Sequence, residues 1–163
     1  MTLEFDSLAV EEGLQISDGV SPAGLPERYM YSSNMVYRYA FARWWEDPDL
    51  TTTAVWVLLN PATGDTERRR RPTLDRCVAW SRAAGFSGLV IVNLFAFRHT
   101  DPRELRAATD PVGPSNDQVL RVITKAGRQT IVARGAHGRL QGRSTLVAPV
   151  LDAPMCLGTT RLG

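Results

Sequence analysis

Three groups of polar side chains follow apolar runs in this chain: Asn60, Pro61, Thr63 and Asp65; Asn93 with Arg98 and His99; and Arg134 with His137. An asparagine side chain offers a carbonyl acceptor beside an NH2 donor, which matches the edge of a nucleobase or another amide. A carboxylate or amide that positions water, with a histidine and arginines nearby, suits hydrolysis or the binding of phosphate. Asn60, Asp65 and His137 are therefore the candidate catalytic residues. Pro61, Thr63, Asn93, Arg98 and Arg134 are the candidate substrate-binding residues. Plainer readings stand beside these. Asparagine commonly satisfies backbone groups at turns, Asp65 can serve its own loop, and a histidine is more often a surface residue than a catalyst. The spacing of His, Cys and acidic residues gives no metal signature, and no cofactor is expected.

The elements that must position these groups are legible from hydrophobic patterning. Residues 53–59, 88–95 and 130–133 are apolar and β-branched runs without a polar alternation, as in strands buried on both faces. Pro61 cannot continue a ladder, so the first run ends at Asn60. Thr73 is the expected N-cap of a helix whose face is Leu74, Cys77, Val78 and Ser81, ending at Gly85. The length from Asn60 to Gly88 then fits a βαβ crossover. Asp101 or Thr100 caps a short helix to about Ala108, and a further helix carries Val119, Leu120, Ile123 and Val122 before Gly127. A last helix, from about Arg143 to Leu151, presents Leu146, Val147 and Val150, and Met155–Leu157 reads as a short strand. Upstream, Tyr29, Tyr31, Met35, Tyr37, Tyr39 and Phe41 fall on odd positions, the period of one half-buried strand with Arg38 and Arg43 off its face. The turn cluster Glu46–Asp49 then predicts an antiparallel hairpin with the 53–59 run.

Residues 1–28 lack sustained periodicity and read as an N-terminal arm or an edge strand through Leu14, Ile16 and Val20; residues 29–163 read as a single α/β domain. Strands alternating with helices predict a three-layer α/β/α sandwich with a mixed, mainly parallel central sheet. Its polar loops converge on one edge, at the carboxyl ends of the strands where ligands bind.

Composition narrows the partners. The chain has 163 residues, 44% hydrophobic and 22% charged, with a formal charge of +2, which is too small to argue for nucleic acid by itself. Of its 19 basic residues only Lys125 is lysine. Arginine favours phosphate and bases, although GC-rich coding explains the bias as well. The run Arg68–Arg71 reads as a solvated loop, with phosphate contact its alternative. Cys77 and Cys156 lie outside any CxxC pattern and read as reduced core thiols of a cytoplasmic protein. No long apolar segment predicts a membrane span.

From about Tyr37 onward the chain resembles the bacterial and phage family called domain of unknown function 1643. The resemblance is carried by residues 59–63, Pro72–Thr73 with Arg76–Cys77, residues 92–96 with Arg98, residues 100–102, residues 110–114 with Asn116–Asp117, residues 135–138 and residues 156–158. Ala62, Arg71 and Arg134 depart from its pattern, which also runs past Gly163 into a His-Pro segment. The chain is accordingly read as truncated or as a member that does without that histidine. More distantly, the strands ending in Asn60-Pro61 and Asn93 are similar to those of the uracil-DNA glycosylase superfamily, above all its mismatch-specific branch. That resemblance implies that Asn60 orients a water and that Asn93 pairs with an extruded base. The leading expectation is a nucleobase- or nucleotide-recognising protein that hydrolyses an N-glycosidic bond. The alternatives are a non-catalytic nucleic-acid-binding module and a small-molecule enzyme acting on a nucleotide-like substrate.

Overall fold

In the computed structural model, which describes residues 3–63 and 71–157, the elements in chain order are α1 (Leu3–Glu11), β1 (Gln15–Val20), β2 (Pro26–Tyr31), β3 (Arg38–Trp44), β4 (Ala54–Leu58), α2 (Pro72–Ala83), β5 (Gly88–Asn93), α3 (Pro102–Ala107), α4 (Asn116–Ala126), β6 (Gln129–Val132), α5 (Arg143–Val147) and β7 (Met155–Cys156). The strands form one mixed sheet in the order β1-β2-β3-β5-β4-β6-β7. The β1-β2-β3-β5 half pairs antiparallel, and the β5-β4-β6-β7 half pairs parallel.

The apolar runs take the centre because they have no polar face to turn to water. Every residue of β5, and Ala54–Val57 of β4, is buried. Alternate residues serve opposite faces of a strand. Val55, Val57, Val90 and Val92 join one apolar cluster with Phe5 and Leu8 of α1 and Val119, Leu120 and Ile123 of α4. Ala54, Trp56, Leu89 and Ile91 join a second cluster with Phe41 of β3 and Leu74 and Cys77 of α2. Burying each large side chain of this kind stabilises by about 1.5–3 kcal/mol. Burial pushes the Cys77 thiol up to about 12, whereas Cys156 is exposed, so only Cys77 is a core thiol.

Several expectations change. The odd-position strand over residues 29–41 is two strands, β2 and β3. Ser32 and Asn34 break it, since the Asn34 side-chain Oδ1 accepts the Val36 N–H at 3.2 Å and Met35 takes a left-handed φ of 60°. β3 pairs with β5, not with β4, because both edges of β4 are taken by parallel neighbours. Arg38 and Arg43, expected off the buried face, are each only 8% exposed. α2 starts at Pro72 after Arg71, whose side chain makes no capping bond, so Thr73 lies inside the helix. Val147 is fully buried but Leu146 is 66% exposed, because the helix gives way at Ala148–Val150 to a 3-10 turn containing Pro149. Within residues 1–28, β1 is the edge strand that Ile16 and Val20 signal, and α1 is a helix that periodicity did not reveal.

Gly88 is where β5 passes Trp44. A Cβ there would lie 2.4 Å from Trp44 Cδ1 and 2.8 Å from the Arg43 carbonyl oxygen. Gly88→Ala is expected to lower stability by about 1–3 kcal/mol through overpacking. Urea unfolding checks this, and an unchanged midpoint would mean that the two strands separate freely there.

Candidate functional site

The parallel strands β4, β5 and β6 end side by side, and a cleft of about 560 Å³ opens at their carboxyl ends. Leu58, Ile91 and Leu74 give it an apolar wall, and Asn60, Asn93 and Arg134 bring one polar group from each strand end. Backbone bonds continue the β4–β5 pairing into the loops. Leu94 N–H donates to Leu58 at 3.0 Å, Phe95 N–H to Leu59 at 2.9 Å and His99 N–H to Pro61 at 3.1 Å. The Asn60 amide closes this seam by donating Nδ2 to the His99 carbonyl at 2.8 Å. Thr63, also lining the cleft, meets Thr100 hydroxyl to hydroxyl at 3.0 Å.

Asn93 continues the face of Leu89 and Ile91, so the position after two apolar side chains carries an amide into the cleft. The residue is 2% exposed, and its Nδ2 is a buried donor with no partner among the described residues. Its backbone is clamped from behind. Asn116 Nδ2 donates to the Asn93 and Leu94 carbonyls at 3.0 Å each, and Arg143 Nε donates to Leu94 at 2.7 Å. Leaving such a donor unmade costs about 1–3 kcal/mol. The clamp therefore holds in place a group that no described residue satisfies.

The cleft is also cationic. Arg38, Arg71 and Arg134 line it, and no described lining residue is acidic. Arg38 reaches it through a register shift in the β2–β3 pairing: Met30 pairs with Ala40 but Tyr31 pairs with Arg38, which leaves one extra residue on β3. Such a bulge turns the side chain beyond it onto the other face, placing Arg38 beside Phe41 rather than beside Ala40 and Ala42. Arg38, Arg43 and Arg71 lie 5.9, 5.7 and 5.5 Å from the Phe41 ring centre. Behind them Glu27, 5% exposed, accepts from Arg43 Nε at 2.9 Å, from Arg71 Nη2 at 3.2 Å and from the Tyr29 hydroxyl at 2.6 Å. Burial, with a smaller push from the neighbouring Arg98 and Arg71 cations, brings Arg38 down to about 10, so it remains charged at neutral pH.

Of the residues singled out in the sequence, Asn60, Thr63, Asn93 and Arg134 therefore share one cleft. Asp65 and Arg68–Arg70 lie outside the described residues. Pro61, Arg98 and His137 are not among the lining residues. Arg98 Nη1 donates to the Met35 carbonyl at 2.8 Å and sits 5.0 Å over the Tyr31 ring, and exposed His137 has Nδ1 3.5 Å from Arg106 Nη2. Arg71, read as part of a solvated loop, is half-buried and anchored to Glu27. Sequence reasoning missed Arg38 and Glu27, and reached Arg71 only through the alternative of phosphate contact by the Arg68–Arg71 run. The one signal available was a charged residue inside otherwise strand-like runs.

Among the described residues, no group of three or more His, Cys, Asp or Glu side chains could hold a metal, and no helix is long and apolar enough to cross a membrane. Residues 38–163 match the model of a family described as "Protein of unknown function (DUF1643)". No curated protein matches the chain.

Proposed function

The chain belongs to the DUF1643 family of proteins of unknown function, and from its cleft we propose a function: recognition of a nucleobase, with hydrolysis of the N-glycosidic bond that carries it. The observation that carries this reading is Asn93, a buried amide on the cleft wall whose Nδ2 has no partner among the described residues. An amide pairs its donor and acceptor with a base edge, a contact worth about 1–3 kcal/mol of discrimination. The arginines that line the cleft suit the phosphates that accompany a base in nucleotides and nucleic acids. Asn60 commits its NH2 to the His99 carbonyl. In this reading its carbonyl oxygen is the atom that accepts from an attacking water. An amide is too weak a base to take the proton from that water. Asp65, five residues further along the sequence, is the residue proposed for that step. In this reading the fold is a three-layer α/β/α sandwich, supported by apolar clusters on both faces of the sheet.

A second reading is favoured by one feature: no carboxylate or imidazole stands among the described lining residues. It is a module that binds the same base and phosphate without turning them over. Chromatography of released base from uracil-containing, mismatched and modified DNA and from free nucleosides separates the two. Release that is lost in Asn60→Ala and Asn93→Ala supports the hydrolase. Binding without release, lost in Asn93→Ala alone, supports the module. Release or binding that is indifferent to both substitutions would sink the cleft as the site.

A further inference from the structure

We infer that the cleft contains a phosphate subsite, formed by the first turn of α2 with Arg71 and Arg38, and that its ligand is a phosphate ester rather than a free base or nucleoside. This deepens the nucleobase reading, on which it rests only for the group attached to the phosphate.

The helix supplies the first part. α2 is 12 residues long, and Pro72, Thr73 and Leu74 of its first turn line the cleft. The Arg71 side chain at its N-cap makes no capping bond, and its first intrahelical bond is Asp75 N–H to the Arg71 carbonyl at 2.9 Å. The N–H groups of Thr73 and Leu74 precede that bond and have no acceptor within the helix. Together with the macrodipole they favour an anion at that point. The sequence matches this use, because Pro72 takes the one position at which a missing N–H costs nothing.

The unpartnered Asn93 Nδ2 is the second and independent part. It is a buried donor on the wall of the same cleft, without an acceptor among the described residues. A nucleotide completes both, its phosphate at the helix N–H groups and its base edge at Asn93.

Charge supplies the third. Three guanidinium groups gather within 6 Å of the Phe41 ring, and Glu27 bonds two of them, Arg43 and Arg71. Glu27 takes Arg43 and one nitrogen of Arg71, so Arg71 keeps further donors for the cleft. A tetrahedral anion with several oxygens can meet guanidinium and main-chain donors at once, which a single carboxylate ligand does less fully.

Calorimetry on the full chain tests the subsite, with inorganic phosphate as the first probe and acetate as its comparator. Phosphate is expected to bind and acetate to bind at least tenfold more weakly. Nucleoside 5′-monophosphates are expected to bind at least tenfold more tightly than the matching nucleosides. Arg71→Gln should erase that advantage, and Arg71→Lys should restore part of it. Thr73→Glu places a carboxylate in the first turn, where it suits the helix, so it should abolish phosphate binding without lowering the melting temperature. Asn93→Ala should keep the phosphate advantage and lose discrimination between bases. A single-stranded oligonucleotide that outcompetes the mononucleotide supports the subsite with nucleic acid as the source of the phosphate, and the reverse supports it with a free nucleotide. Equal affinity for nucleoside and nucleotide, or acetate binding as well as phosphate, would overturn the subsite while leaving base recognition standing. Phosphate binding without base preference would support the subsite and remove the base reading. Phosphate binding unchanged in both Arg71→Gln and Thr73→Glu would overturn the placement.

Discussion

Asn93→Leu is expected to abolish discrimination between ligands while leaving the protein as stable as before or more so. The two effects have one origin. The side chain is 2% exposed and its Nδ2 donor is unsatisfied among the described residues. The folded state therefore bears about 1–3 kcal/mol of uncompensated desolvation, which an apolar side chain of similar volume does not incur. At this chain length each kcal/mol corresponds to about 2–4 °C in melting temperature. The same substitution removes the donor–acceptor edge offered to a base, an effect of about 1–3 kcal/mol, or roughly 5–150-fold in affinity. Thermal unfolding and ligand titration on the same preparation measure both. A variant destabilised by more than about 2 kcal/mol would make Asn93 a structural group with a partner in the fold, and the site would lose its central residue.

The Asn116 clamp makes this test clean. It holds the Asn93 and Leu94 carbonyls, not the Asn93 side chain, so the backbone path survives the substitution. The geometry places the cost of precision on α4, whose first residue is fully buried, and leaves the cleft-facing amide for a ligand.

What could be read in the sequence followed from how local its cause is. β4, β5 and β6 are legible because an unbroken apolar run has one stable location, the middle of a sheet covered on both faces. Asn60, Asn93 and Arg134 share a cleft because each closes one of those parallel strands, so finding the strands found the residues. Strand partners were less legible. Chain proximity argued for a β3–β4 hairpin, but β4 had its edges filled by β5 and β6, segments 30 and more residues away. Arg38 could not be placed by period at all, since its face depends on one extra residue in the β2–β3 ladder. Glu27 and Arg71 are 44 residues apart and become neighbours only when β2 and the start of α2 meet at Phe41.

That meeting point carries the second large effect, since Glu27→Ala is expected to cost about 3–5 kcal/mol of stability. Its carboxylate accepts from Arg43 through Nε at 2.9 Å and through Nη2, from Arg71 at 3.2 Å and from Tyr29 at 2.6 Å. Alanine leaves a buried Arg43 guanidinium and a phenol without their acceptor, and water reaches neither freely because Arg43 is 8% and Tyr29 6% exposed. Glu27→Gln keeps the shape and one acceptor oxygen, so its expected loss is smaller, about 1–3 kcal/mol for the charge-assisted part. Replacing both partners, as in Glu27→Leu with Arg43→Met, should recover most of the loss, since what destabilises is the uncompensated charge rather than the missing pair. The Tyr29 phenol reports on the same bond. Burial first, and then its hydrogen bond to Glu27, holds its pKa above the ordinary value. A raised phenol pKa stabilises the fold below the unfolded value and is lost as pH rises through the folded one, so the wild type should lose stability above about pH 10. In Glu27→Gln the phenolate absorbance should appear at lower pH than in the wild type. Chemical denaturation of the four proteins with an alkaline titration decides the point. A loss under about 1 kcal/mol in Glu27→Ala, with the Tyr29 titration unmoved, would mean that Arg43 and Arg71 are held by the Phe41 ring alone. Glu27 would then have no part in setting the charge of the cleft.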